Sequence, residues 1–228
     1  METIGQIMER QSKEVVKQQH SLPALSKGTE LKVRFGEDEL SFITNNNPDM
    51  QSVVAKNVEL CYYGGYPTLV ELSQAYGEYT PDAWLTAHLF NLSEFCGCKE
   101  KLTVDQIAQT ARIITVEYYY LNIAELMLFF FRFKLGRYGK FYGSVDPIVI
   151  TSALRDFIRE RNGEIDYYES QHKAELDKIN KEKIHAVTRE EYEKMKQNNV
   201  KFDIPKLVTM EDYLNTKFKE QWKEKKII

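Results

Sequence analysis

Apolar side chains recur every three or four residues along most of the chain, which is the spacing of one face of an α-helix. The segment over residues 80–95 opens with Thr80-Pro81, a helix-start signal, and is predicted to end near Gly97. Its apolar residues fall on one face: Trp84, Leu85, His88, Leu89, Leu92 and Phe95. The pattern therefore predicts a helix that buries this face.

Three further segments begin with capping signals. The box Thr103–Gln106 precedes a predicted helix that buries Ile107, Ala108, Ala111, Ile114 and Thr115 and turns its polar residues outward. Asn122–Glu125 precedes LMLFFFRFK, which is apolar nearly all round and is predicted to be a central helix with Phe129, Phe130, Phe131 and Phe133 in the core. Asp146-Pro147 opens a helix that we expect to end just before Gly163.

The two ends of the chain carry weaker patterns. LKVRFGEDELSFIT suits either a short hairpin turning at Gly36 or an irregular helix, and we favour the helix. Beyond Gly163 the composition shifts to Lys, Glu, Gln and Asn with sparse apolar positions, which predicts one or two long, exposed helices. Thr188–Glu191 and Thr209–Asp212 are cap signals within this part.

These elements predict an all-α fold with a compact multi-helix body over 1–162, least defined over 1–79, and a charged helical extension over 163–228. Loosely heptad-like apolar positions suit the extension either to a partner helix or weak coiled coil, or to a solvated helix packed on the body by one stripe. The sequence leaves open whether the tail docks or swings free.

Composition supports a folded protein with a sizeable core. The chain is 43% apolar and has 14 tyrosines and 12 phenylalanines against 11 glycines and 6 prolines, which excludes collagen-like, low-complexity and disordered classes. Its longest apolar run, Leu126–Phe131, is far shorter than the roughly 20 residues that cross a bilayer. The first twenty residues lack a secretory signal, and three cysteines are an odd number. We expect a soluble cytoplasmic protein with reduced thiols and no membrane contact.

Charge is distributed unevenly along the chain. The total of −3 combines −6 over residues 1–100, +3 over 101–162 and 0 over 163–228. Only the middle segment favours a polyanion.

The segment over 132–146 is the most distinctive. It combines cations with aromatic side chains and three glycines, and cations for phosphates with aromatic faces for bases are the chemistry of single-strand binding. The candidate nucleic-acid residues are Arg132, Lys134, Arg137, Tyr138, Lys140 and Tyr142. The alternative is a tight helix–loop–helix connector whose aromatic rings pack into the body while its cations lie in water.

The sequence offers little for metal binding or catalysis. Cys96-Gly-Cys98 with Cys61 and His88 would supply four zinc ligands, but the spacing is unlike that of a zinc knuckle, and His88 falls on an apolar face typical of a core histidine. No metalloprotease, nucleophile-elbow or P-loop motif is present, so we expect no metal, cofactor or catalytic residue. The remaining histidines lie in polar stretches and are predicted to be solvated: His20, His172 and His185.

The run from Leu102 to Asn162, with FKLGRYGKFYGSVDP and ALRDFIRERN, resembles an uncharacterised family of bacterial proteins often met in prophages and mobile elements. The order of short helices also looks like the helical domain of phage replicative-helicase loaders. This resemblance implies an accessory role in DNA replication or in a mobile element and names no catalytic residues.

The expected function is that of a non-enzymatic adaptor in a DNA-replication or mobile-element complex, with the 132–142 connector toward single-stranded nucleic acid and the tail toward a protein. The alternative is a structural or regulatory protein–protein module, such as a scaffold or host inhibitor, without nucleic-acid binding. Exposure of the connector distinguishes them, because solvent-facing rings favour nucleic acid and buried tyrosines favour the protein module.

Overall fold

A computed structural model describes residues 26–183 and 206–224. Within these ranges the chain forms helices and no strand, which confirms the all-α prediction. The helices are α1 (Lys27–Phe35), α2 (Glu39–Asn45), α3 (Met50–Val54), α4 (Val58–Tyr63), α5 (Leu69–Tyr76), α6 (Thr80–Phe95), α7 (Val104–Glu117), α8 (Ile123–Lys134), α9 (Pro147–Lys183) and α10 (Met210–Glu224).

Local cap chemistry fixes where several helices begin. The hydroxyl of Thr103 accepts from the backbone N–H of Gln106, whose side chain accepts from the N–H of Thr103, and the Asn122/Glu125 pair repeats this arrangement at α8. LKVRFGEDELSFIT is helical, as we favoured over a hairpin, but it forms two helices that meet at Gly36. The backbone there has φ +132°, and a Cβ would lie 2.8 Å from the amide nitrogen of Phe42, so only glycine fits.

Helix α8 is the centre of the core. Every residue from Ile123 to Phe130 is buried, and the helix packs against α3, α4, α6 and α9. The prediction of a central helix buried on several sides is confirmed, although Phe131 is only half-buried. Helices α6 and α7 form an antiparallel pair beside it, with Arg112 of α7 paired to Asp82 of α6 at 3.2 Å.

The predicted helix end before Gly163 is wrong, because α9 continues through this residue to Lys183. Gly163 has helical neighbours on both sides, and a Cβ added there would meet no atom within 4 Å. The helix is held past this point by tertiary contacts, among them a hydrogen bond from Tyr62 of α4 to Glu164. A glycine signal for a helix end is therefore overridden by packing.

We expect Gly163→Ala to raise the free energy of unfolding by about 0.5–1 kcal/mol, because alanine loses less backbone entropy in a helix and meets no clash here. Chemical denaturation followed by circular dichroism measures the change. Ala174, exposed on the same helix, provides the reverse control: Ala174→Gly should lower stability by a similar amount. A destabilising Gly163→Ala substitution would contradict a continuous helix.

The described part of the C-terminal tail docks on the body. Thr209 caps α10 as predicted, with its hydroxyl accepting from the N–H of Asp212 at 3.1 Å. The helix predicted to begin at Thr188 lies outside the described residues, as do His20 and His185. Solvation of His172 is a wrong prediction, because its side chain is 1% exposed between α4 and α10.

Among the helices within the described ranges, none has the length and apolar character needed to cross a membrane.

Candidate functional site

The connector between α8 and α9 is fixed at its far end to the loop between α6 and α7. The N–H of Glu100 donates to the carbonyl of Gly143, and the N–H of Val145 donates to the carbonyl of Glu100, at 3.3 and 3.0 Å. Gly143 has φ +81°, a conformation that favours glycine. The connector is therefore a defined loop with a fixed return to the body.

Arg132 begins this region in a buried position, with 6% of the residue exposed. Its Nη2 donates to both carboxylate oxygens of Glu164 on α9 at 2.8 and 2.9 Å, and its Nη1 lies 3.8 Å from Glu160. A guanidinium withdrawn from water needs such partners, because an unpaired buried charge is costly. Arg132 consequently joins the central helix to α9.

Lys134 and Tyr138 also make contacts within the protein. Lys134 donates to the amide oxygen of Asn91 on α6, and burial lowers the pKa of its ammonium. The Tyr138 ring packs on Phe129, and its hydroxyl donates to Glu160 at 2.9 Å. Burial, reinforced by that carboxylate, raises the pKa of the Tyr138 phenol.

The rest of the candidate set is more exposed. Arg137 is partly exposed and pairs with Glu160 through Nε at 3.1 Å. Lys140 and Tyr142 face solvent, and Tyr142 is 90% exposed. The structure thus places Arg132, Arg137 and Tyr138 around the carboxylates of α9 and leaves the tip of the connector open.

A second feature, which the sequence analysis did not predict, lies at the loop between α7 and α8. The first amide groups of α5 have no partner inside their own helix. This loop satisfies them: the N–H of Leu69 donates to the carbonyl of Leu121 at 3.0 Å, and the N–H of Val70 donates to that of Tyr119 at 3.1 Å. The loop is thereby fixed in place beside α5.

Large apolar side chains stand exposed around this loop. Two are on α7, two are on the loop and one is on α5, each between 40% and 61% exposed. We call this set the tyrosine surface: Val70, Ile113, Val116, Tyr119 and Tyr120. The Tyr119 and Tyr120 rings meet edge to face at 5.7 Å. A fixed backbone presents these rings at little cost in ordering, which favours their use in recognition.

The sequence contained one signal for this surface. Ile113 and Val116 lie outside the apolar stripe predicted for their helix, on the face expected to be polar. Ala108 of the predicted stripe is exposed as well, so the buried face of α7 is narrower than its pattern indicated: Ile107, Thr110, Ala111 and Ile114.

His88 and the cysteines do not form a site together in the described part of the chain. Both ring nitrogens of His88 are occupied, one by the carbonyl of Asn46 and the other by the amide of Gln51, which bears out its prediction as a core histidine. Cys61 is buried and its thiol lies 3.5 Å from the carbonyl of Val54. No group of three or more His, Cys, Asp or Glu side chains in residues 26–183 and 206–224 is arranged to hold a metal ion.

Comparison with known proteins gives a family match over part of the chain. The model for a family of unknown function, DUF6633, matches residues 101–203. The match covers α7, α8, the connector and α9, and it includes the whole of the 102–162 segment that resembles an uncharacterised family. No curated protein and no solved structure matches the chain.

Proposed function

We propose that this protein is a non-enzymatic adaptor that binds another protein through the tyrosine surface. The observation that supports this proposal is the set of exposed apolar side chains on α5, α7 and the following loop. Exposed apolar patches mark interaction sites, and aromatic side chains are enriched at protein interfaces. The hydrogen-bonded loop supports the same function, because a surface that is already ordered loses less entropy on binding.

The connector adds support for a protein partner. Three of its candidate nucleic-acid residues are held inside the protein: Arg132, Lys134 and Tyr138. Glu160 and Glu164 lie beside the arginines, and carboxylates at that position oppose the approach of phosphates. A role for the adaptor in DNA replication or in a mobile element is part of this proposal, and it rests on the resemblance of residues 102–162.

Single-stranded nucleic acid is the second candidate ligand. The observation that favours it is the open connector tip, where Tyr142 is 90% exposed and lies two residues from exposed Lys140. A free aromatic face beside a cation suits a stacked base and its phosphate. This smaller site would contact nucleic acid at the tip, away from the buried arginine.

A capture experiment with matched variants tests the proposal. We expect Val116→Glu to abolish capture of the partner from a lysate of the source organism, because a carboxylate in an apolar interface loses its hydration. Val104→Glu is the control, since Val104 is 83% exposed on the same helix and, twelve residues away, roughly 18 Å from Val116. With the purified partner, Val116→Glu should weaken binding at least tenfold, and Val104→Glu should leave it unchanged.

Nuclease treatment separates the two candidate ligands. Capture that survives nuclease and is lost only in Val116→Glu supports the protein adaptor. Capture lost on nuclease treatment and in Tyr142→Ala supports nucleic acid at the tip. An identical set of captured proteins for Val116→Glu and the unmodified protein would refute the role of the tyrosine surface.

A further inference from the structure

Helix α10 lies on a groove formed by α4 and α9. The groove side chains that contact it include Glu59 and Tyr63 of α4 and His172 and Glu175 of α9. Ring contacts dominate the floor: Phe218 stacks on Tyr63 with centroids 6.2 Å apart and planes 5° from parallel. We call these four residues and the space between them the α10 groove.

Two rings and one lysine of α10 make the main side-chain contacts that the structure describes. Tyr213 and Phe218 are its buried residues among those whose burial is described, and both contact the imidazole of His172. Lys217 lies between the carboxylates of Glu59 and Glu175 at 2.8 and 3.7 Å. The helix is therefore recognised by an aromatic residue, a lysine four positions later and an aromatic residue directly after it.

The polar contacts around the groove can be exchanged for those of another helix. Lys217 is 30% exposed and Glu175 is 52% exposed, and ion pairs open to solvent contribute little stability. The hydroxyl of Tyr213 donates to Glu175, at the exposed edge. Docking of α10 thus depends on two buried rings, on the pair between Lys217 and the less exposed Glu59, and on its covalent attachment, which holds a segment at an effective concentration on the order of millimolar.

A second contact explains how α10 stays near the groove. The side-chain amide of Asn180 donates to the carbonyl of Val208 at 3.1 Å and accepts from its N–H at 2.9 Å. This paired bond fixes the chain just before α10 to the far part of α9. The position of the helix is set by this bond as well as by the groove.

We propose that the α10 groove is a binding site for an amphipathic helix of a protein partner, and that α10 is an internal occupant which this helix displaces. The partner helix carries the same pattern, an aromatic residue at position i, lysine at i+4 and an aromatic residue at i+5. The lysine is required by charge, because Glu59 and Glu175 flank its position while the rings supply apolar area. This site is separate from the tyrosine surface, so either proposal stands if the other fails.

The test uses the full-length protein and a fluorescent peptide of residues 206–224. Lys217→Glu places a third carboxylate beside Glu59 and Glu175 and should release α10, which increased hydrogen exchange of its amides will report. The peptide, measured by fluorescence anisotropy, should bind this variant at least tenfold more tightly than the unmodified protein. Lys206→Glu, an exposed lysine before the helix, is the matched control and should bind like the unmodified protein.

A variant peptide and a second opening variant complete the test. A peptide that itself carries Lys217→Glu should fail to bind the opened variant. That result would show that the α10 groove recognises the lysine. Phe218→Asp serves as a second opening variant, because it removes a buried ring. Unchanged exchange of α10 in both variants, or no gain in peptide binding once α10 is released, would overturn the proposal.

Discussion

Replacing Phe130 by alanine is expected to lower the free energy of unfolding by about 3–5 kcal/mol. The ring is fully buried on the central helix and contacts the rings of Phe129 and His88 at centroid distances of 5.2 and 5.4 Å. Its removal loses the transfer free energy of the ring and leaves a cavity that tightly packed neighbours fill only in part. Urea denaturation of the purified protein, followed by circular dichroism, measures the difference.

Phe90→Ala is the matched control for this change. Phe90 lies on α6 and is 58% exposed, so truncation of its ring leaves no enclosed cavity and should cost far less. Equal losses for Phe90→Ala and Phe130→Ala would show that α8 is not the centre of the core.

Acidification from pH 7 to pH 5 is expected to remove about 2 kcal/mol of stability through His88 alone, and about 3 kcal/mol by pH 4. Burial is the main cause that lowers the pKa of this imidazole from 6.5 to about 4. The unfolded chain takes up a proton near pH 6.5, whereas the folded protein does so only near pH 4. Stability from the neutral ring is therefore complete above pH 6.5 and is lost as the pH falls from 6.5 to 4.

A difference measurement isolates this contribution from the carboxylates that titrate in the same range. His88→Gln removes the titrating group, so the stability gap between the variant and the unmodified protein should narrow by about 2 kcal/mol from pH 7 to pH 5. Carboxylate contributions cancel in the gap because both proteins share them. A gap that stays constant with pH would show that the His88 pKa is close to its ordinary value.

The candidate interaction surfaces could be inferred only in part from the sequence. The connector stands out by composition, yet its composition does not show that Glu164, thirty-two residues from Arg132, accepts from that guanidinium. The tyrosine surface left a fainter trace, because Ile113 and Val116 are apolar residues outside the predicted stripe of their helix, on the face expected to be polar. Whether an apolar side chain is buried depends on which other elements pack over it. Apolar periodicity predicts which face of a helix is apolar, but it does not identify the element that packs against that face.

Local interactions explain what the sequence determined by itself. The capping boxes at Thr103 and Asn122 join groups three residues apart, and the apolar spacing of α6 and α8 reflects one helical turn. These interactions act within a short segment, so the sequence of that segment is enough to predict the helix. The central position of α8 follows in the same way from the apolar residues nearly all round it. The all-α fold and the core position of His88 were predictable on the same grounds.

Tertiary structure decided the features that join distant parts of the chain. Gly163 is a helix-end signal in isolation, but contacts from α4 to Glu164 and His172 carry α9 past it. His172 is surrounded by polar neighbours in the sequence, yet α4 and α10 bury it, because Tyr63 and Phe218 come from positions more than forty residues away on either side. Burial and pairing across such separations arise only when the chain is folded, and they alone place α10 in its groove.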